Sequence, residues 1–245
     1  MVLVMEDRAI SNYKKFKHIQ VHKIPSDVNV YIVGDIHGCY DLLIAQLKEV
    51  GFNFDKDICF GVGDLVDRGP QNEQCISLVH EPWFYTVRGN HEDYCLQGAT
   101  DYRIEVHHRR SNNGGEWLYK YPEGERVELL KPLDVLPYMI EIQYLDKIVG
   151  IVHADMPIHD WDVTKIMVKE EWNDRAMTDH LTWGRNLVYQ KHCEIANAEY
   201  VFMGHTIVQN PHIVGNAIFI DTGACRTGNM TIINLKEFLR DFKRV

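Results

Sequence analysis

Val30-Tyr31-Ile32-Val33 is an unbroken run of β-branched and aromatic residues that stops at Gly34-Asp35. A short run that is apolar on both faces and bounded by glycine predicts a buried strand. Leu42, Leu43, Leu47 and Val50 then recur at helical spacing, and Gly51 predicts where that helix stops. Residues 57–62 predict a second strand, again followed by Gly-Asp at Gly63-Asp64. Cys75, Ile76 and Val79 predict a helix over 72–80, and 84–87 predict a third strand running into Arg88-Gly89-Asn90-His91. The order β-α-β-α-β builds a parallel sheet with right-handed crossovers.

The pattern then changes. Residues 101–134 are polar and poorly periodic, so helices and loops are expected there without firm positions. Residues 138–144 and 148–152 flank Leu145-Asp146-Lys147 and predict a β-hairpin whose second strand leads to His153-Ala154-Asp155. A helix is expected over 163–172, with Asp162 as its N-cap. Residues 200–203 predict a strand ending in Gly204-His205-Thr206, residues 217–220 lead into Asp221-Thr222-Gly223-Ala224, and 230–235 predict a last strand. No internal repeat or Pro/Gly/Ser-rich linker interrupts the sequence, so 1–245 is read as one domain. The fold class expected is α/β (mixed α+β): a two-sheet β-sandwich flanked by helices, with the βαβαβ unit in the N-terminal half.

Composition narrows the function. A content of 45% hydrophobic and 25% charged residues is that of a globular chain. The net charge of −9 opposes broad nucleic-acid binding but leaves room for a locally positive pocket. The six cysteines form no C-x-x-C pair, so neither a zinc ribbon nor a thioredoxin motif is expected. Residues 1–20 carry Glu6, Asp7, Arg8, Lys14 and Lys15 and no apolar run of signal-peptide length. No stretch approaches the roughly 20 apolar residues of a membrane span. A soluble, reduced, cytoplasmic protein is expected, monomeric and without membrane or nucleic-acid partners. The chain ends at Val245, soon after the last predicted strand, and no regulatory tail is expected.

The chemistry gathers at the strand ends. In open α/β sheets ligands bind beyond the carboxyl ends of the strands. Those ends deliver Asp35 and His37, then Asp64, Asp67 and Arg68, then Asn90 and His91, and later His153 and His205. Singly each is weak: a D-x-H can cap a loop, an Asp-Arg pair can sit on the surface, and an isolated His is usually a satisfied polar residue. Together they offer the N and O donors suited to two divalent ions, with an arginine for an oxyanion and a spare histidine for proton transfer.

The order GDIHG, GDLVDRGP, RGNHE, HAD and GHT resembles the metal-dependent phosphoprotein phosphatases of the calcineurin-like metallophosphoesterase superfamily. The resemblance runs from about Val30 to Leu235 and is nearest to the small bacterial and bacteriophage-lambda-type serine/threonine protein phosphatases. It implies a first metal held by Asp35 and His37, a bridging Asp64, and a second metal completed by Asn90, His153 and His205. It implies direct attack on phosphorus by a metal-activated water, without a phosphoenzyme. His91 would protonate the leaving oxygen, and Asp67 would orient that imidazole. Arg68 and Arg185 would bind the phosphoryl oxygens, with Asn90 also facing substrate. The cofactors implied are two divalent ions, manganese first, with Fe, Zn, Ni or Mg also suited to these donors.

The implied substrates are phosphorylated proteins or peptides carrying phosphoserine or phosphothreonine, with phosphotyrosine open. Where the phage enzymes carry a further arginine, this chain has Leu187. Arg88 either supports a carboxylate or reaches phosphate, Asp221 either orients ligands or caps a strand end, and Cys39 is read as a packed thiol. A diadenosine-tetraphosphatase-like hydrolase shares the metal motifs and would need base-stacking surfaces, for which Tyr102, Trp117, Tyr119 and Tyr121 are candidates. A non-catalytic binding protein on the same fold is disfavoured by the complete ligand set.

Overall fold

The computed structural model describes residues 18–170 and 175–242. The readings made on residues 1–17, on Trp172 and on Val245 lie outside them. The chain forms β1 (Ile19–Lys23), β2 (Val30–Val33), α1 (Tyr40–Glu49), β3 (Ile58–Gly61), α2 (Asn72–Ser77), β4 (Phe84–Thr86), α3 (Asn90–Gly98), α4 (Tyr102–His108) and α5 (Glu123–Asp134). It continues through β5 (Met139–Tyr144), β6 (Lys147–Ile151), α6 (Trp161–Lys169), α7 (Arg175–Trp183), β7 (Tyr200–Met203), β8 (His212–Val214), β9 (Ala217–Phe219), α8 (Ala224–Thr227), β10 (Ile232–Asn234) and α9 (Leu235–Asp241).

Two sheets result. One is ordered β10-β2-β3-β4, the other β1-β5-β6-β7-β9-β8. In the first, β2, β3 and β4 are parallel and β10 is antiparallel to β2. In the second, β6, β7 and β9 run parallel to one another. Val30, Ile32, Phe60 and Val62 of one sheet share a single buried cluster with Ile140, Ile151, Phe202 and Ile218 of the other. This is the sandwich filling, and each fully buried side chain of this size contributes roughly 1.5–3 kcal/mol. The opposite face of the first sheet is covered by helices through Leu43, Leu47, Ile76 and Leu133. The opposite face of the second is covered through Trp161, Val168 and Leu181. Strands buried on both faces explain why β2, β3 and β7 read as continuous apolar runs rather than alternating ones.

The expected elements form with shifted ends. Gly51, at φ 74°, follows α1 as expected. The α6 helix begins two residues early: Asp160, not Asp162, is its cap and accepts from Val163 N at 3.1 Å. Asp160 takes that role because its backbone is extended, whereas Asp162 already lies inside the first turn. The helix expected over 72–80 divides into α2 and a single 3₁₀ turn at Leu78–His80. The strand expected over 230–235 is shorter, because Asn234 caps α9 through its side chain. The hairpin turn at Leu145 and Asp146 has φ of 51° and 59°, the paired left-handed geometry that matches strand twist. Unforeseen were β1, which pairs in parallel with β5, the short β8, and helices α7, α8 and α9. Among the described residues no helix is long and apolar enough to cross a membrane.

Candidate active site

The strands β2, β3, β4, β6, β7 and β9 all end at the same edge of the sandwich. The sequence immediately after them places Asp35, Asp64, Asn90, His153, His205 and Asp221 there, all buried. Backbone strain marks the place. Non-glycine residues with left-handed φ include His37 (46°), Asp64 (49°), Asp67 (72°), Arg68 (67°) and His205 (66°). Such conformations cost on the order of 1–3 kcal/mol each and persist only where the surroundings fix them. Two glycines make room for the carboxylates: a Cβ on Gly89 or on Gly204 would collide with Asp64 Oδ1 or Asp35 Oδ1 respectively.

Asp64 stands between two imidazoles. Its Oδ2 lies 3.5 Å from His37 Nε2 and its Oδ1 lies 3.4 Å from His153 Nε2. Each imidazole is turned by a main-chain acceptor: His37 donates from Nδ1 to Val66 O at 2.9 Å, and His153 from Nδ1 to Val62 O at 2.7 Å. Both Nε2 atoms are therefore left as acceptors. The Nε2 of His153 points at the Asn90 side-chain oxygen, 3.0 Å away, and His205 Nδ1 reaches the same oxygen at 2.8 Å. Asp35 Oδ2 lies 3.9 Å from His37 Nε2, and Asp35 accepts from His205 N at 3.1 Å.

Acceptor atoms thus converge on one another in a buried space, which a cation resolves. Two groups of ligand atoms lie within 4.8 Å of one another, one containing His37 and Asp64, the other Asp64, His153 and His205. The ionisation of the carboxyls agrees. Burial, reinforced by Asp221 and Asp64, holds the Asp35 carboxyl well above the usual range. Burial and the charge of Asp64 also push Asp221 up. Its Oδ1 accepts from Gly223 N at 2.8 Å, while its buried Oδ2 has no hydrogen-bond partner among the described residues. Burial would raise Asp64 too, but His153, His91 and His37 outweigh it and hold that carboxyl well below its ordinary value. Burial pushes His37 down to about 3 and His205 down to about 2, keeping both neutral as a ligand must be, whereas at His153 burial is outweighed by Asp64, which holds it above its ordinary value. The donor set of carboxylate, amide and imidazole fits two divalent ions.

The second half of the site is a hydrogen-bonded dyad. His91 donates from Nδ1 to Asp67 Oδ2 at 2.7 Å. The Asp67 carboxylate is completely buried yet held well below its ordinary pKa, because His108 and His91 outweigh the burial. His108 donates from Nε2 to the same Oδ2 at 2.6 Å, and Trp117 donates from Nε1 to Oδ1 at 2.7 Å. Asn72 Oδ1 accepts from Asp67 N at 2.6 Å and fixes the backbone. The group Asp67, Cys95 and His108 is thus closed by direct hydrogen bonds. Arg68 spans both halves. One guanidinium nitrogen donates to His91 Nε2 at 2.9 Å, and the other contacts His37 Nε2. The rim is aromatic: Tyr94 meets Trp183 edge-on at 4.9 Å, and these rings flank His91 and His205.

Nine of the ten residues singled out in the sequence gather here. The tenth, Arg185, is exposed on a loop that Asp155 anchors by accepting from Asn186 N at 2.8 Å, and its charge acts on His205. Arg88 is drawn away from the site by Asp93 at 3.4 Å, by the Asp134 carbonyl and by the Tyr138 ring. Cys39 donates to His37 O at 3.5 Å, and burial raises its thiol to about 11. Of the four candidate base-stacking aromatics, Trp117 is bound to Asp67, Tyr119 to His108 and Tyr121 to Glu73, leaving Tyr102 exposed. Sequence reasoning missed Glu92 and His108. Glu92, three residues into α3, has the position of a capping-box acid and accepts from Gly89 N, Asp64 N and Leu65 N at 2.7–2.9 Å. His108 lies in the aperiodic segment and carries no local signal.

Comparison with known proteins gives a consistent result. The family model for calcineurin-like phosphoesterases matches residues 28–209. Serine/threonine-protein phosphatase 2 of Salmonella typhimurium (strain LT2) is 32% identical over 227 residues, covering 89% of this chain and 99% of that protein. The asymmetrical bis(5'-nucleosyl)-tetraphosphatase PrpE of Halalkalibacterium halodurans is 26% identical over 227 residues, covering 84% and 89%. Among solved structures, the cold-active protein-tyrosine phosphatase of a psychrophilic Shewanella superposes with a TM-score of 0.59 at 16% identity, covering 89% of this chain and 78% of that one.

Proposed function

The chain belongs to the calcineurin-like phosphoesterases, and from that premise we propose that it is a metal-dependent protein phosphatase releasing phosphate from phosphoserine and phosphothreonine. The observation that carries this is the His91–Asp67 dyad, 2.7 Å apart, beside the cluster of convergent acceptors around Asp64. Asp35, His37 and Asp64 would hold one divalent ion, and Asp64, Asn90, His153 and His205 the other. Manganese is our choice on the resemblance to the phosphoprotein phosphatases, since the donor set itself suits several divalent ions. Bound ions supply Lewis acidity and an acidified water at neutral pH. This chain's own residues supply the rest. Asp67 holds His91 by Nδ1, so that Nε2 can carry a proton to the leaving oxygen. Arg68 exchanges its imidazole contacts for the phosphoryl oxygens, and Arg185 reaches them from its loop, with Asn90 at the substrate's edge. The same reading takes 1–245 as one catalytic domain acting as a cytoplasmic monomer, with phosphotyrosine peptides as further substrates.

The dinucleotide reading is supported by the relation to the tetraphosphatase and by the Tyr94–Trp183 rim. It is weakened because three of its four expected stacking aromatics are engaged in internal hydrogen bonds. One experiment separates the two. Manganese-loaded protein is assayed in parallel on a phosphoserine/phosphothreonine peptide, a phosphotyrosine peptide and diadenosine tetraphosphate, with EDTA-treated protein and His91→Asn as controls. Metal-dependent phosphate release from the peptides, lost in His91→Asn, is expected. Dinucleotide cleavage with inert peptides would reassign the substrate, and inactivity on all three would overturn the proposal.

A further inference from the structure

The Asp67 carboxylate has more donors than orienting one imidazole requires. His91 Nδ1 and His108 Nε2 share the single oxygen Oδ2, at 2.7 and 2.6 Å, while Trp117 takes Oδ1. His108 is itself completely buried and held at its far side by Tyr119, whose hydroxyl donates to Nδ1 at 2.8 Å. Tyr94 stacks on the His108 ring at 5.5 Å and 14°, and its own edge meets His91. Tyr119, His108, Asp67 and His91 are therefore one connected set of hydrogen bonds, in which Tyr119 donates to His108 and both imidazoles donate to the Asp67 carboxylate. The acceptor-only carboxylate of Asp67 faces His108 Nε2 and sets the proton there, which leaves Nδ1 to accept from Tyr119, and the Nε2 proton holds the carboxylate. Gly115 completes the seat, because a Cβ there would run into the His108 ring.

We propose that His108 is a positioning residue for proton delivery: it pins Asp67 so that Oδ2 faces His91 Nδ1 and the Nε2 edge of His91 faces the departing oxygen. This rests on the reading of His91 as general acid. In the step concerned, water forms the new bond to phosphorus. The bond from phosphorus to the leaving oxygen breaks, and its electron pair takes the proton from His91 Nε2. A carboxylate free to rotate would leave the imidazole misaligned, and the loss grows with the leaving group's need for a proton.

The test uses the manganese-loaded full chain and substrates of rising leaving-group basicity: 2,4-dinitrophenyl phosphate, p-nitrophenyl phosphate, phenyl phosphate and a phosphoserine peptide. His108→Phe should lower kcat/KM about 10- to 100-fold on the last two and less than about 3-fold on the first. His108→Gln, whose amide N–H replaces Nε2–H, should stay within about 3-fold throughout, since it restores the same hydrogen bond. Tyr119→Phe should show the same selectivity at smaller size. It decides the matter if His108→Phe does not fold. A uniform loss across the series, or none, overturns the proposal. His91→Asn is run alongside: if it shows no leaving-group selectivity, the general-acid reading fails, and if it alone shows selectivity, only the role of His108 fails. A second readout needs no turnover. In metal-free protein with ¹⁵N-labelled imidazoles, the His108 proton should sit on Nε2, and a proton on Nδ1 would sink the hydrogen-bond chain.

Discussion

Glu92 carries Asp64 by its backbone. The Glu92 Oε2 atom accepts from Asp64 N at 2.9 Å, and Oε1 accepts from Leu65 N at 2.8 Å. Asp64 has left-handed φ, and the buried carboxylate of Glu92 holds that geometry from behind. Replacing Glu92 with Gln turns an amide N–H toward main-chain donors that now face a carboxyl oxygen, which costs about 1–3 kcal/mol. For a chain of this length that corresponds to a fall in Tm of about 2–12 °C. Thermal melts of Glu92→Gln should show it. Metal analysis of the same variant should show manganese retained less tightly, because the Asp64 backbone is no longer fixed.

Manganese should stabilise the folded chain in proportion to site occupancy. At free metal about 100 times the dissociation constant, linkage gives about 2.7 kcal/mol, or about 5–10 °C in Tm. The midpoint of EDTA-treated protein should rise by that amount on titration with manganese. Asp64→Asn should abolish most of the rise. An unchanged midpoint in the wild-type chain would count against the metal centre.

The two arginines should differ in kinetics. Arg68 touches both imidazoles, and Arg185 lies exposed on its loop. Arg68→Ala should lower kcat about 100-fold, as expected for a lost transition-state donor. Arg68→Lys should recover little, because a point charge cannot reproduce the planar fork. Arg185→Ala should chiefly raise KM on phosphopeptides, several-fold, with kcat within about threefold. Steady-state kinetics of the three variants would decide.

Asp93 should give the metal-free chain a distinctive acid response. Burial raises its carboxyl to about 6, although Arg88 at 3.4 Å pulls it back. An unfolded aspartate titrates near 3.9. Between these values the folded chain binds the proton more tightly, so stability falls as pH rises from about 4 to about 6. Asp93→Asn lacks that component, and its stability should fall less over this window, by on the order of 1–3 kcal/mol. Urea unfolding of both proteins at pH 4.5 and 6.5 in EDTA would measure the difference.

Much of this architecture was legible in the sequence because of where the sandwich buries its strands. Strands covered on both faces, such as β2 and β3, must be apolar throughout, and the turn to a ligand is written as Gly-Asp at each end. The residues that gather at the sandwich edge stand out for the same reason, since Asp35, Asp64, Asn90, His153 and His205 each come soon after a strand. What escaped was whatever depends on distant partners. The β1 strand exists by pairing with β5, more than a hundred residues away. His108 and Trp117 become meaningful only when α4 and the following turn fold over Asp67. Arg185 was singled out by a local motif, and it sits exposed on its loop, with its charge acting on His205.

The candidate ligands also divide by sheet. Asp35, Asp64 and Asn90 follow strands of one sheet, and His153 and His205 follow strands of the other. Asp35 and the His205 amide that it accepts are 170 residues apart in the chain. During synthesis the first sheet's ligands leave the ribosome with nothing opposite them. At about 5–20 residues per second, the last histidine follows Asp35 by roughly 9–34 s. Over that interval the nascent chain carries half of the candidate site. Assembly of the candidate site is therefore tied to closing of the two sheets, and a chain halted before His205 lacks part of it.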